Sequence, residues 1–144
     1  MTVNNTPPFL TIFPKKNDIY CFRKLKELTT SFPSEQKHFT GATVIDSNLH
    51  VYKLREAIKA GWGNWFYGIN LLYKERLIKL EFVVEEIQTL TLEEAKGLLS
   101  RTIETRPFGR FMQSFFGNKK RLVEKIAKTS SVDELMNLFL EDGD

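Results

Sequence analysis

The chain has 144 residues, of which 42% are hydrophobic and 27% are charged. This composition is ordinary for a soluble globular protein and excludes a wholly disordered one, and the length is sufficient to bury a core without disulfides. We therefore expect a single domain that spans residues 1–144. The net charge of +3 is small, so any argument for an anionic partner must depend on how the charges cluster.

Residues 1–8 predict a flexible arm, because they are polar and include Pro7 and Pro8. They lack the basic and apolar stretches of a secretory signal, and no apolar run in the sequence approaches the ~20 residues of a membrane-spanning helix. Cys21 is the single cysteine, which rules out an intrachain disulfide and predicts a small buried side chain. We expect a cytoplasmic protein that does not enter the membrane.

The first third of the chain predicts one strand followed by a helix. Residues 9–13 are apolar and end at Pro14, as expected of a short strand. Asp18 can cap a helix, and apolar residues then recur at helical spacing until Pro33. These apolar residues are Cys21, Phe22, Leu25, Leu28 and Phe32. They predict an N-terminal helix, with a strand over residues 19–22 as the alternative.

Two β-hairpins and four short helices follow in the predicted order. Residues 39–54 form the first hairpin and residues 65–88 the second, with one helical turn at residues 55–60 between them. The clearest alternation lies in the last strand, where every second residue from Ile78 to Val84 is apolar. The predicted helices open at Thr91, Pro107, Asn118 and Ser131.

The predicted fold class is α+β. Thr91 and Ser131 each precede a glutamate by three residues, which is the spacing of a capping box, and residues 141–144 form an acidic tail. Strands before helices indicate an antiparallel sheet covered on one face. In this prediction the sheet consists of the two hairpins and packs against the N-terminal helix and the four C-terminal helices.

The sequence contains few groups that could carry chemistry. One cysteine and two separated histidines do not supply a zinc site, and the sequence has no phosphate-binding glycine loop and no Gly-x-Ser-x-Gly elbow. We therefore expect no metal and no cofactor. His50 is the only candidate general base, and Cys21 could pair with His38 or His50 as nucleophile and base. Three strand glutamates could act as acid and base: Glu81, Glu85 and Glu86. Ordinary structural roles are favoured for all of these, so an enzyme is only the third hypothesis.

Residues 61–68 hold four aromatic residues, three glycines and both tryptophans of the chain. Strand alternation would turn Trp65 and Tyr67 to one side and Phe66 to the other. Tryptophan and tyrosine dominate the energies of protein interfaces, so this segment predicts a partner-binding surface. The predicted partner-binding residues are Trp62, Trp65, Tyr67 and Phe116, the last of which lies off the apolar stripe of its helix. The competing interpretation is that these rings close the core.

Residues 101–128 form a basic block. Its bases are Arg101, Arg106, Arg110, Lys119, Lys120, Arg121, Lys125 and Lys128, against two glutamates. Lys119, Lys120 and Arg121 would occupy the first turn of a helix, where the dipole disfavours cations and free N–H groups favour an anion. With Arg106 and Arg110, expected one turn apart, they predict a site for phosphate groups or nucleic acid. The competing interpretation is a solvated helix face that the acidic C-terminal residues neutralise.

Taken together, these features favour a small cytosolic binding protein without catalytic activity. We expect it to act through protein–protein interaction, as an adaptor, inhibitor or immunity protein. The alternative is a nucleic-acid-binding protein that uses residues 101–128.

Overall fold

The computed structural model describes residues 7–15, 17–62 (the main chain alone for the last of these), 78–107, 112 and 118–140. The strands are β1 (Phe9–Phe13), β2 (Asp18–Phe22), β3 (Thr30–Ser31), β4 (Thr43–Ile45), β5 (His50–Trp62) and β6 (Ile78–Thr89). The helices are α1 (Leu25–Leu28), α2 (Leu92–Thr105), α3 (Lys119–Lys128) and α4 (Val132–Asn137), with a 3-10 helix at Pro33–Phe39. The predicted α+β class is therefore confirmed.

The six strands form one curled antiparallel sheet in the order β2–β1–β4–β5–β6–β3. Alternation along β1 directs Leu10 and Ile12 to one face, where α2, α3 and α4 cover them. Phe9 and Phe13 lie on the other face, in a second core with Tyr52 of β5. The sheet is thus buried on both faces, whereas the sequence predicted cover on one face alone.

The N-terminal helix is the main error of the sequence-based prediction. Asp18–Phe22 is strand β2, the alternative interpretation, because it pairs along its whole length with β1. Only the single turn of α1 is helical between β2 and β3. The spacing of the apolar residues is compatible with both a helix and a strand, and the long-range pairing with β1 selects the strand.

The predicted hairpins are present only in part. The first contains β4 and β5, but Phe39 belongs to the 3-10 helix. Residues 55–60 form no helical turn, because β5 continues through them to Trp62 with bulges that break the alternation. The partner of β6 is β5, while residues 65–73, the predicted partner, lie outside the described residues.

The predicted helix caps agree with the structure in most details. Thr91 and Glu94 form the reciprocal capping box of α2, at 3.0 and 3.2 Å, and Asn118 Oδ1 accepts the Lys120 N–H of α3 at 2.8 Å. Ser131 accepts the Glu134 N–H at the start of α4. The Glu134 carboxylate accepts from Ser130 instead of Ser131, so the second box is only half formed.

Several predictions fall outside the described residues. They are the flexible arm over residues 1–6, most of the helix after Pro107 and the acidic tail at residues 141–144.

Met112 is helical and buried. Within the described ranges, no helix has the length and apolar character to cross a membrane.

Candidate functional site

One edge of β6 is the first candidate site. β5 pairs with the other edge from end to end, and β3 pairs with this one at Ile78 and Lys79. The Leu80 N–H also points toward β3, where it donates to the Thr29 carbonyl at 2.7 Å. Among the described residues, no strand pairs with this edge from Glu81 onward. We call residues 81–89 of this edge the open edge.

The open edge carries exposed apolar side chains. Val83 is 46% exposed and Ile87 51%, and Ile58 on neighbouring β5 is 43% exposed. Within the described part of the chain, these three are the large hydrophobic residues that lie exposed. Phe82 and Val84 alternate with them and are half-buried against the second core, which contains Phe9, Phe13 and Tyr52. A strand edge with apolar side chains on both faces is suited to pairing with another chain.

The second candidate site is a cleft of about 380 Å³ between β2 and β3, the two outermost strands of the curled sheet. One wall contains Phe13, Asp18, Tyr20 and Phe22. The other wall contains Ser31, Phe32, Glu35, His38 and Phe39. We call this space the edge cleft. Its volume and its mixture of rings with a few polar groups are typical of ligand pockets.

The rings of the edge cleft stand at steep angles to one another. Phe13 lies 5.2 Å from Phe39 with an interplanar angle of 82°, and 6.3 Å from Phe22 with an angle of 73°. Tyr20 and Phe22 lie 4.8 Å apart at 61°. These distances are between ring centroids, in the edge-to-face range that aromatic pairs prefer. The sequence does not predict this site, because the spacing of its apolar residues favours a helix over Tyr20 and Phe22 where the structure has strand β2.

The predicted aromatic surface stays a prediction. Trp62 ends β5 and pairs with Ile78 of β6, and nothing further is described for it. Trp65, Tyr67 and Phe116 lie outside the described residues.

The predicted basic site is only partly assembled. Lys120 and Arg121 are exposed in the first turn of α3, and Lys119 is half-buried there. Arg106 lies beyond the end of α2 in an extended conformation and donates to the Pro14 carbonyl at 3.4 Å. Arg110, which the sequence places one turn from Arg106, lies outside the described residues, so this part of the site stays a prediction.

Lys96 of α2 has a structural role beside the basic block, because it joins α2 to the end of α3. Lys96 Nζ donates to the Thr129 carbonyl at 2.8 Å and to the Ala127 carbonyl at 3.1 Å. The start of α2 therefore lies against the end of α3, where a cation satisfies carbonyls that have no helical partner. The opposite ends of the two helices carry Arg106 and the first turn of α3.

Two of the residues considered for catalysis, His50 and Glu85, make contacts within the fold. Asp46 is fully buried and accepts the N–H groups of Asn48 at 2.9 Å and His50 at 3.0 Å. His50 Nδ1 lies 3.4 Å from Asp46 Oδ2, so this histidine belongs to the turn between β4 and β5. The strand glutamates are exposed, and Glu85 forms an ion pair with Arg55.

Cys21 is a buried core residue, as the sequence predicted. It packs under the helices, on the face of the sheet opposite the edge cleft to which His38 contributes. Burial raises the pKa of its thiol from 9.0 to about 12. A thiol with this pKa is protonated at neutral pH and is a poor nucleophile. Because Cys21 and His38 lie on opposite faces of the sheet, they do not form the hypothetical nucleophile–base pair.

The comparisons with known proteins add no functional assignment. No protein-family model matches the chain, and no curated protein or solved structure matches it. No cluster of three or more metal-ligating side chains occurs within the described residues. The open edge, the edge cleft and the exposed bases of α3 are the candidate functional surfaces of the described residues.

Proposed function

We propose that this protein binds another protein, which adds an extended segment as a further strand on the open edge of β6. The observation that carries the proposal is the exposure of Val83 and Ile87 along an edge that no described strand covers. Folded proteins usually protect such edges with charges, prolines or a covering segment. An adaptor, inhibitor or immunity protein acting in the cytoplasm would use the edge in this way.

The main chain would supply most of the affinity. Because the Leu80 N–H points toward β3, strand alternation directs the main-chain groups of Phe82 and Val84 to the same edge. An added strand would exchange hydrogen bonds with these two residues, as in other cases of β-strand addition. It would also cover the half-exposed side chains of Phe82 and Val84.

The side chains of the edge define the preferred partner segment. Glu81, Val83 and Glu85 point to the solvent face of β6 and alternate with Phe82 and Val84. Opposite charges and apolar pairs across strands each contribute about 0.2–1 kcal/mol. The partner segment should therefore place Lys or Arg beside the glutamates and a β-branched or aromatic residue beside Val83.

Peptide selection tests this proposal without a known partner. Ten-residue peptides would be selected from a random library on the immobilised protein and then titrated against variants. We expect Val83→Lys to weaken binding at least about tenfold, equivalent to about 1.4 kcal/mol. Ile58→Lys is the matched control, because Ile58 is similarly exposed but lies one strand away from the edge. Equal losses in both variants would reject strand addition.

Nucleic-acid binding is the second candidate, and one observation favours it. Lys120, Arg121, Lys125 and Lys128 are all exposed on α3. Exposed cations along one helix are suited to phosphate groups, although they carry no base specificity. Salt-dependent binding to oligonucleotides, described in the Discussion, separates this candidate from the first.

A further inference from the structure

A groove between α3 and α4 is a further surface, separate from the open edge of β6. It has a volume of about 390 Å³ and is lined by Lys125, Lys128, Thr129, Glu134, Asn137 and Leu138. We call it the helix groove. The buried residues of α3 and α4 belong to the core under the helices, whereas Phe82 and Val84 of the open edge pack against the second core. The helix groove therefore lies in the helical layer, and the open edge lies in the sheet.

The net charge of the helix groove is positive. Lys125 and Lys128 are exposed, and neither forms an ion pair with a carboxylate of the described residues. They are three residues apart on α3, so their side chains are neighbours on one side of the helix. Glu134 is the acid of the groove lining, and its carboxylate accepts the N–H of Ser130 at 3.0 Å and the Ser130 hydroxyl at 3.1 Å. The two lysines therefore remain for an anionic ligand.

The rest of the lining favours a peptide over a nucleic acid. Leu138 is half-buried against the core and presents apolar surface to the groove. Asn137 is exposed, and its side-chain amide has donors and an acceptor for the main chain of a peptide. A nucleic acid carries a charge on every phosphate, so one of its charges would approach Glu134, whereas a peptide places its acids only where its sequence has them.

We propose that the helix groove binds an acidic, extended segment of a partner protein. Side chains two positions apart in such a segment point the same way at a separation of about 6.6 Å, twice the rise per residue. This matches the ~5–6 Å between helix side chains three residues apart, so two acids pair with Lys125 and Lys128. The residue between them faces α4 and, if apolar, covers Leu138. The proposal does not rest on strand addition, because none of its residues belongs to the sheet.

A titration with two capped peptides, followed by NMR, tests the proposal. The acidic peptide contains Glu-Leu-Glu between serine and glycine residues, and the control peptide contains Gln-Leu-Gln in the same surroundings. We expect the acidic peptide to shift the Lys128 and Asn137 resonances with a dissociation constant of about 1 mM or lower. The uncharged peptide should bind at least about fivefold more weakly. Equal binding of the two peptides would overturn the proposal, as would the absence of shifts at about 10 mM acidic peptide.

Matched double variants of α3 assign the binding to the helix groove. Lys125→Gln with Lys128→Gln should weaken binding of the acidic peptide about tenfold, because each exposed ion pair contributes about threefold. Lys120→Gln with Arg121→Gln is the control, since it removes the same charge from the same helix outside the groove lining. It should change binding by less than about twofold, and melting temperatures confirm that both proteins remain folded. Equal losses in the two double variants would mean general attraction by α3 and would reject the groove.

Two further measurements separate the helix groove from the other candidate surfaces. Val83→Lys, which disrupts the open edge, should leave binding of the acidic peptide unchanged, so strand addition and the groove succeed or fail independently. Loss of peptide binding in this variant, with the melting temperature unchanged, would contradict the placement in the groove. Single-stranded oligothymidylate of about ten nucleotides is the nucleic-acid competitor, and we expect it not to displace the acidic peptide near physiological salt. Displacement at a lower concentration than unlabelled acidic peptide requires would make nucleic acid the ligand and overturn the proposal.

Discussion

Asp46 accepts the main-chain N–H of His50 at 3.0 Å with a carboxylate that is completely buried. It also accepts the Asn48 N–H at 2.9 Å, and the Tyr52 hydroxyl lies 3.4 Å away. These contacts close the turn between β4 and β5, where Leu49 has a left-handed conformation with φ of 61°. We predict that Asp46→Ala lowers the free energy of unfolding by about 3 kcal/mol, because it leaves buried donors without an acceptor. Chemical denaturation measures this loss.

Two further variants test this explanation of the turn. Asp46→Asn retains an oxygen that can accept the main-chain N–H groups, so we expect less than half of the alanine effect. Asn48→Ala changes an exposed side chain in the same turn and should alter stability by less than about 0.5 kcal/mol. If Asp46→Ala costs no more than Asn48→Ala, these hydrogen bonds make no net contribution.

The open edge of β6 predicts a pattern of hydrogen exchange in the isolated protein. The N–H groups of Glu81 and Val83 point toward β5, whereas those of Phe82 and Val84 point to the open edge. We expect the Phe82 and Val84 amides to exchange at least about tenfold faster, because unpaired amides lack protection. NMR measures each amide separately. Equal protection of all four would mean that the chain itself covers the edge, and strand addition would then be rejected.

Local sequence signals suffice for three elements of this fold. The alternation from Ile78 to Val84 predicts β6, because one face of the strand is buried and the other is solvated. Thr91 and Asn118 predict the starts of α2 and α3, because their side chains satisfy N–H groups that have no helical partner. Each of these signals is complete within about ten residues of chain.

The remaining features depend on distant parts of the chain. Asp18–Phe22 is a strand because β1 pairs with it, and the spacing of its apolar residues does not reveal this. The edge cleft depends on the curl of the sheet, in which β3 pairs with β6 and approaches β2 across the sheet ends. No local pattern encodes that approach, so the site could not be predicted from the sequence.

Cys21 makes stability depend on pH in the alkaline range. Its pKa is raised by burial from 9.0 to about 12 in the folded protein, so the unfolded chain releases the thiol proton first. Stability from this group is complete below pH 9.0 and is lost as the pH rises toward about 12. We predict that wild type loses up to about 1.4 kcal/mol per pH unit relative to Cys21→Ala above pH 9. If the free energies of unfolding of the two proteins change in parallel with pH, the raised pKa of Cys21 would be refuted.

Alanine variants of Trp62 and Trp65 distinguish a partner-binding role of these rings from a core role. If Trp62 and Trp65 anchor a partner, as the sequence suggests, alanine at either position should weaken binding by at least about 2 kcal/mol and leave melting nearly unchanged. If the rings close the core, the same variants should lose about 3–5 kcal/mol of stability. We expect the first result for Trp65. Thermal melting of the two variants distinguishes these outcomes before any partner is known.

Oligonucleotide binding by the exposed bases of α3 tests whether the partner is a protein or a nucleic acid. Binding through phosphate contacts must weaken with salt, by nearly one log unit per contact for each tenfold rise in concentration. We expect only weak, sequence-independent retention of oligonucleotides at low salt and none near physiological salt. Lys120→Gln with Arg121→Gln should abolish the residual binding. Lys24→Gln with Lys26→Gln removes the same charge from an exposed site near α1 and should not. Submicromolar binding of labelled single- or double-stranded oligonucleotides near physiological salt, lost only in the α3 variant, would instead make nucleic acid the partner.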